Sequence, residues 1–159
     1  MSSPISLVAG GTGLVGSHVI NSLSKKHGLQ IILVRSFNSE IPKNGELKII
    51  NFDDLKSDKV QLRSNIDHVY LCLGKKLLTY ELGYMPFENR DTFKKIDFDY
   101  PLAVAKLAFQ NGARSIALVS AIGARVSSSN YYFHIKGKLE TAIKEIGYES
   151  VCIAQPDTY

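Results

Sequence analysis

Tryptophan is absent from the 159 residues, cysteine occurs twice and proline five times. So little cysteine excludes a disulfide-built scaffold, and so little proline excludes an extended Pro-rich spacer. Neither staple is needed for stability, because a compact domain of this size removes roughly 70% of its unfolded surface from water. Long apolar runs are also missing: none approaches the ~20 residues that cross a bilayer, and the start lacks the charged-then-apolar layout of a secretory leader. A cytoplasmic protein with no membrane partner is the resulting expectation. Acidic residues are missing locally, since nothing before Glu40 is Asp or Glu, while Lys25, Lys26 and Arg35 stand in that stretch of a chain whose net charge is +4. Three scattered cations fall short of the clustered stripe that nucleic acid demands, so no nucleic-acid partner is expected and a local anion site is. Cys72 and Cys152 lie far apart in apolar segments and read as buried structural thiols. His18, His27, His68 and His134 share no ligand spacing, and no metal site is expected.

What is present is alternation. Short β-rich apolar runs at residues 5–9, 30–34, 47–51, 68–73, 115–119 and 150–154 predict strands. Helical spacing fills the gaps over 14–26, weakly over 54–64, from Pro101 to Gly112, and over 131–146, with Gly28 and Gly147 as stops. Parallel neighbours need crossovers of a dozen residues or more, so this alternation predicts an α/β fold. Its form is a Rossmann-type, doubly wound parallel sheet with helices on both faces, as one nucleotide-binding domain over residues 1–159. Residues 75–90 lack a period and read as a surface loop near a ligand.

The sequence Gly10-Gly11-Thr12-Gly13-Leu14-Val15-Gly16 follows the first strand and opens the first helix. In that context each glycine has a purpose. Gly10 permits the tight turn, Gly13 lets backbone approach a pyrophosphate, and Gly16 lets helix pack on strand. Thr12, Leu14 and Val15 complete the turn and the helix start, whose free N–H groups favour an anion. The second strand ends in Arg35-Ser36, where an NAD-selective site offers Asp or Glu to the ribose hydroxyls. Arg35 instead suits a ribose 2′-phosphate, with Ser36 adding a hydrogen bond, so NADP(H) is expected over NAD(H). Phe52 and Asp53, after the third strand, are placed beside the adenine; Leu73 and Gly74, after the fourth, are placed beneath the cofactor's centre. Lys75 and Lys76 are expected to face water.

Tyr132 and Lys136 stand four apart at the start of the last predicted helix and therefore share a face. A phenol with a reference pKa of about 10 is a poor proton carrier at neutral pH, but a close ammonium favours its ionised form by about 1 to 3 units. Lys136 thus tunes Tyr132 and reaches the nicotinamide ribose, while Ser120, closing the fifth strand, holds the substrate oxygen. Tyr131 has Ile135 as its partner four residues on and reads as packing.

Together these residues resemble the short-chain dehydrogenase/reductase superfamily, specifically its atypical branch of Tat-interacting-protein-like oxidoreductases. The resemblance runs in order through Gly10 to Gly16, Cys72-Leu73-Gly74, Lys95 to Tyr100, Asn111-Gly112-Ala113, Leu118 to Ala124 and Tyr132 to Glu140. It implies an NADP-binding Rossmann fold and places the superfamily's catalytic serine, tyrosine and lysine on Ser120, Tyr132 and Lys136. The activity it implies is NADP(H)-dependent hydride transfer to or from a carbonyl or alcohol of a small molecule. The alternative is a nucleotide-sensing regulatory module with a protein partner or a homodimer; a nucleotide-sugar epimerase-like enzyme is third. Two departures stand out. Gln155-Pro156-Asp157 replaces the usual Arg-Pro-Gly after the sixth strand, and the family usually continues into a further substrate-side segment. The expectation is a chain truncated at its C-terminus, or a cofactor half with little substrate pocket.

Overall fold

The computed structural model describes residues 3–26, 28–35, 44–57, 59–62 and 65–157. Ser36, one expected cofactor contact, lies outside the described residues. The strands are β1 (Ile5–Ala9), β2 (Leu29–Val34), β3 (Gly45–Ile49), β4 (His68–Leu71), β5 (Ser115–Val119) and β6 (Ser150–Ala154). They form one sheet in the order β3-β2-β1-β4-β5-β6, with every neighbouring pair parallel. The helices are α1 (Leu14–Ser24), α2 (Thr79–Gly83), α3 (Phe87–Lys94), α4 (Tyr100–Gln110) and α5 (Tyr131–Lys144). The doubly wound Rossmann-type architecture expected from the alternation is the one observed.

Central strands buried on both faces read as continuous apolar runs, and β1 does: Leu7, Val8 and Ala9 are all fully buried. Its side chains divide between two cores. Leu7 and Ala9 join Val69, Leu71, Ile116 and Leu118 against Val104, Ala105 and Ala108 of α4 and Leu139 and Ile143 of α5. Val8 joins Ile32 and Val34 against Ile20 of α1 on the opposite face. The chain steps outward from β1 to β3, then returns to place β4 on the other side of β1. That reversal is where open α/β sheets bind their ligands, at the carboxyl ends of the strands.

Several boundaries differ from expectation for local reasons. Among the described residues, the helix expected over 54–64 is represented by one 3₁₀ turn, Phe52–Lys56. The Asn51 side chain accepts the Asp53 N–H at 3.1 Å and starts that turn, but the apolar spacing beyond Leu55 does not repeat at three and four. The expected loop over 75–90 contains α2 and the start of α3. Glu81, nearly fully buried, organises it by accepting from Leu78 N–H at 2.9 Å, Lys75 Nζ at 3.0 Å and Asn89 Nδ2 at 2.9 Å. Pro101 lies in the first turn of α4, as expected, but α4 has no free start. α3 and α4 are one rod joined by a π-turn, Lys95–Asp99, in which the Tyr100 N–H bonds the Lys95 carbonyl. A proline ring collides with the carbonyl four residues back, here that of Asp97, and the widened turn sits immediately before it.

The cysteine reading is also corrected. Cys72 is half-buried and Cys152 exposed, because β6 lies at the sheet edge and turns alternate residues outward.

Candidate functional site

A cleft of about 270 Å³ opens at the switch point between β1 and β4. The expected cofactor residues Gly10, Thr12, Gly13, Arg35, Phe52, Leu73 and Gly74 all line it, from four different segments of the chain. Gly10 has φ +85°, and a Cβ there would lie 2.5 Å from the Cys72 carbonyl carbon and oxygen. Glycine is therefore required both for the turn and for the approach of β1 to β4. The Gly13 N–H closes the turn on the Gly10 carbonyl at 3.1 Å. Gly16 packs beneath that same carbonyl, where a Cβ would collide.

α1 begins with no side-chain cap and no acidic residue in its first turn. Its first N–H groups are thus left for an anion. Leu14 and Val15 are exposed there, outside the cleft lining. The cradle fits a dinucleotide: a glycine-lined turn for a pyrophosphate, an exposed arginine at the rim, and the Phe52 and Tyr100 rings, 5.4 Å apart, as an aromatic wall. Asp53 is tied down beside it, accepting from Lys95 at 2.8 Å and from the Tyr100 hydroxyl at 2.9 Å. The reading of the two lysines as water-facing holds for Lys76, which is exposed, and is corrected for Lys75. Lys76 lines the cleft, and Lys75 pairs with buried Glu81. Cys72 lines the cleft too, and burial pushes its thiol up to about 11, which keeps it protonated at neutral pH.

The second part of the site lies on α5. Asn130 caps that helix, its side chain accepting from the Tyr132 N–H at 2.9 Å, and so fixes the first turn that carries Tyr132. Lys136 follows one turn later with its Nζ 5.8 Å from the centre of the Tyr132 ring. The sequence therefore brings these two together as expected. Its partner was not foreseen. Lys136 is only 6% exposed and its Nζ sits 2.8 Å from Oδ1 of Asp97, itself 1% exposed. The other carboxylate oxygen of Asp97 accepts the Lys75 N–H at 2.8 Å. Tyr132 packs on Phe93, ring centres 5.6 Å apart. Burial raises its phenol above the ordinary value, with Lys136 lowering it and Asp97 raising it.

Ser120 is turned elsewhere. Its hydroxyl, buried, donates to Oε1 of Glu140 at 2.5 Å, and the same oxygen accepts from Gln155 Nε2 at 2.8 Å. Two acidic residues thus escaped the sequence reading. Glu140 lies four residues after Lys136 on one helix face, which was a visible signal; Asp97 lies thirty-nine residues away and gave none.

The profile of the family described as "NAD dependent epimerase/dehydratase family" matches residues 6–145. The protein named FMP52, mitochondrial, of Candida albicans is 27% identical over 153 residues, covering 94% of this chain and 64% of its own length. Protein HTATIP2 of Rattus norvegicus is 26% identical over 121 residues, covering 76% of this chain and 46% of its own length. This chain therefore spans less than two thirds of the curated relatives it matches. In fold it is similar to a short-chain dehydrogenase of Burkholderia cenocepacia solved with NADP. That match has a TM-score of 0.71 and 16% identity, and covers 98% of this chain and 73% of the other. The expected cytoplasmic location is overturned by the relatives' names, since FMP52 proteins of several fungi are called mitochondrial. Organelle entry uses amphipathic, acid-poor signals, so the lack of an apolar leader carried no information about it.

Proposed function

The chain belongs to the NAD dependent epimerase/dehydratase family as an atypical short-chain dehydrogenase-like protein, and from that premise we propose that it is an NADP(H)-dependent oxidoreductase acting on a carbonyl or alcohol. The observation that carries this reading is the bridge at Asp97, which joins the backbone leaving the cofactor cleft to the lysine beside Tyr132. A binding cleft and a proton-transfer pair are thereby parts of one structure. The preference for NADP(H) rests on Arg35 at the cleft rim, where no carboxylate of the described residues lines the pocket.

In the proposed reaction the Tyr132 hydroxyl gives its proton to the oxygen of a small carbonyl substrate as that oxygen gains charge. Gly10, Gly13 and Arg35 would hold a nicotinamide dinucleotide in the cleft, and the chemistry it would supply there is hydride for the carbonyl carbon. Lys136 keeps two of its three donor positions beyond Asp97 and holds the ribose side of the cofactor. Ser120 has committed its proton to Glu140, so as placed it donates nothing to the carbonyl oxygen, and Tyr132 is the assigned donor.

The nucleotide-sensing reading is favoured by one observation. Leu78, Tyr80, Tyr84 and Phe87, on and around α2, are each more than half exposed, a patch suited to a protein partner. The two readings separate in one experiment. NADPH and NADH are titrated into the protein, and a carbonyl panel is then compared between wild type and Tyr132→Phe. The enzyme reading expects NADPH to bind more tightly and turnover to fall by about 10²- to 10⁴-fold in the variant with NADPH affinity kept. NADPH binding with no turnover favours the sensor; turnover unchanged in Tyr132→Phe removes the assigned proton donor.

A further inference from the structure

We propose that Lys76 is a cofactor-binding residue: from the segment after β4 its ammonium engages the diphosphate of a nicotinamide dinucleotide, across from the glycine turn, while the 2′-phosphate is left to Arg35. The inference rests on the reading of the cleft as a dinucleotide site. Its basis is where the chain leaves a cation unmatched. Lys75 pairs with Glu81 at 3.0 Å, Lys95 with Asp53 at 2.8 Å and Lys136 with Asp97 at 2.8 Å. Lys76 lines the cleft, is exposed, and meets no carboxylate among the described residues. A cation held at a cleft wall without a counter-charge attracts anions into the cleft and keeps its charge for one of them.

Its neighbours aim it there. Lys75 is drawn inward twice, its N–H to Oδ2 of Asp97 at 2.8 Å and its Nζ to Glu81. Leu77 packs against the cluster of Met85, Phe93 and Ile135, and the Leu78 N–H bonds Glu81 at 2.9 Å. With the residues on both sides anchored inward, the one between them is turned to the cleft. Topology then separates the two cations. Arg35 follows β2 and Lys76 lies beyond the end of β4, and these strands flank β1 on opposite sides. The glycine turn that follows β1 lies between them, with Gly10, Thr12 and Gly13 in the cleft wall. NADPH carries two anionic centres, the diphosphate that joins its nucleosides and the phosphate on its adenosine ribose. The ribose phosphate is assigned to the planar fork of Arg35 on the β2 side. The diphosphate at the turn is the anion within the province of β4, and the compact charge of a lysine suits it. α1 brings no acid in its first turn to compete for the ammonium.

Lys76→Gln tests this, because it removes one exposed charge and leaves the anchors at Lys75 and Leu77 in place. NADPH and NADH are titrated into wild type, Lys76→Gln and Lys76→Arg, and ADP-ribose and 2′-AMP are measured by their displacement of NADPH. NADPH, NADH and ADP-ribose all carry the diphosphate, and their affinities are expected to fall together by about 5- to 20-fold in Lys76→Gln. The affinity for 2′-AMP, which lacks the diphosphate, stays, and Lys76→Arg keeps most of the binding of all four. The ratio of wild type to Lys76→Gln shrinks toward one as salt is raised to about 1 M, where the screening length is about 3 Å. A loss of packing does not respond to salt in this way, so a ratio that ignores salt overturns the proposal. Unchanged affinities in Lys76→Gln overturn it as well and leave the lysine to water. A loss confined to NADPH and 2′-AMP overturns it by moving the lysine to the 2′-phosphate. Failure of wild type to bind either dinucleotide sinks the cofactor reading itself, and the proposal with it; binding that Lys76→Gln does not alter sinks the proposal alone. No turnover is needed for any of these measurements.

Discussion

At the candidate cofactor cleft the groups open to a ligand are backbone N–H groups at the start of α1 and the exposed side chains of Arg35 and Lys76. At the Tyr132–Lys136 pair they are side chains, and the cation is buried and already matched by Asp97. Arg35 and Lys136 differ in what burial demands of them. A charge removed from water is costly unless paired, so Lys136 cannot wait for a ligand to neutralise it. Arg35 can, because water screens it until a phosphate arrives. The difference shows that an exposed cation at a cleft rim is available for binding, whereas a buried one is available for tuning a neighbour.

The most disruptive test of this contrast is Gly10→Ala. The substitution strains a left-handed backbone position, at about 1 to 3 kcal/mol, and drives a Cβ into the Cys72 backbone. NADPH binding is expected to disappear from the titration, with a lowered thermal midpoint, while the Tyr132 phenol keeps its ionisation. Movement of that phenol in Gly10→Ala breaks the separation of the two regions. Arg35→Ala comes next. Loss of a charged hydrogen bond is worth about 1.5 to 3 kcal/mol, so NADPH affinity is expected to fall about 10- to 100-fold while NADH affinity stays. Equal losses for both nucleotides refute the 2′-phosphate assignment.

The smallest effect sharpens the boundary between the regions. The Leu78 N–H, then Lys75, hold the Glu81 carboxyl below its usual range. A lowered folded-state pKa contributes stability that is present above the unfolded value of about 4.3 and lost as pH falls through the folded one. The difference in thermal midpoint between wild type and Glu81→Gln is therefore expected to be constant at neutral pH and to narrow in acid below that value. A difference that persists unchanged in acid shows that packing, not charge, holds α2 against α3.

The contrast also governs what could be read from the sequence. The glycine turn is local: its spacing, the strand before it and the helix after it lie within a dozen residues, and the cleft lined by Gly10, Thr12 and Gly13 follows. Tyr132 and Lys136 are likewise local, four apart on one helix. Asp97 was hidden because its partner is brought to it by the sheet and not by the chain. Lys75 and the loop over 75–90 were misread for a related reason: their structure comes from Glu81 reaching back to Lys75 and on to Asn89, polar contacts that leave no hydrophobic period. Ser120 was placed correctly at the end of β5, but no rule of spacing told which way its hydroxyl turns.

The wide turn before Pro101 has one more consequence, and it concerns length and not chemistry. Each residue rotates an α-helix by about 100°, so removing a single residue between Lys95 and Asp99 restores a regular rod and swings the preceding face a quarter-turn or more. Where the residue removed is Phe98, the cleft lining, Tyr132, Lys136 and Asp97 all remain in the chain, yet Asp97 is expected no longer to meet Lys136. Over this segment the chain tolerates exchange of residues more readily than a change in their number, and a one-residue gap there is a sharper sign of altered function than any substitution on the surface of the same rod.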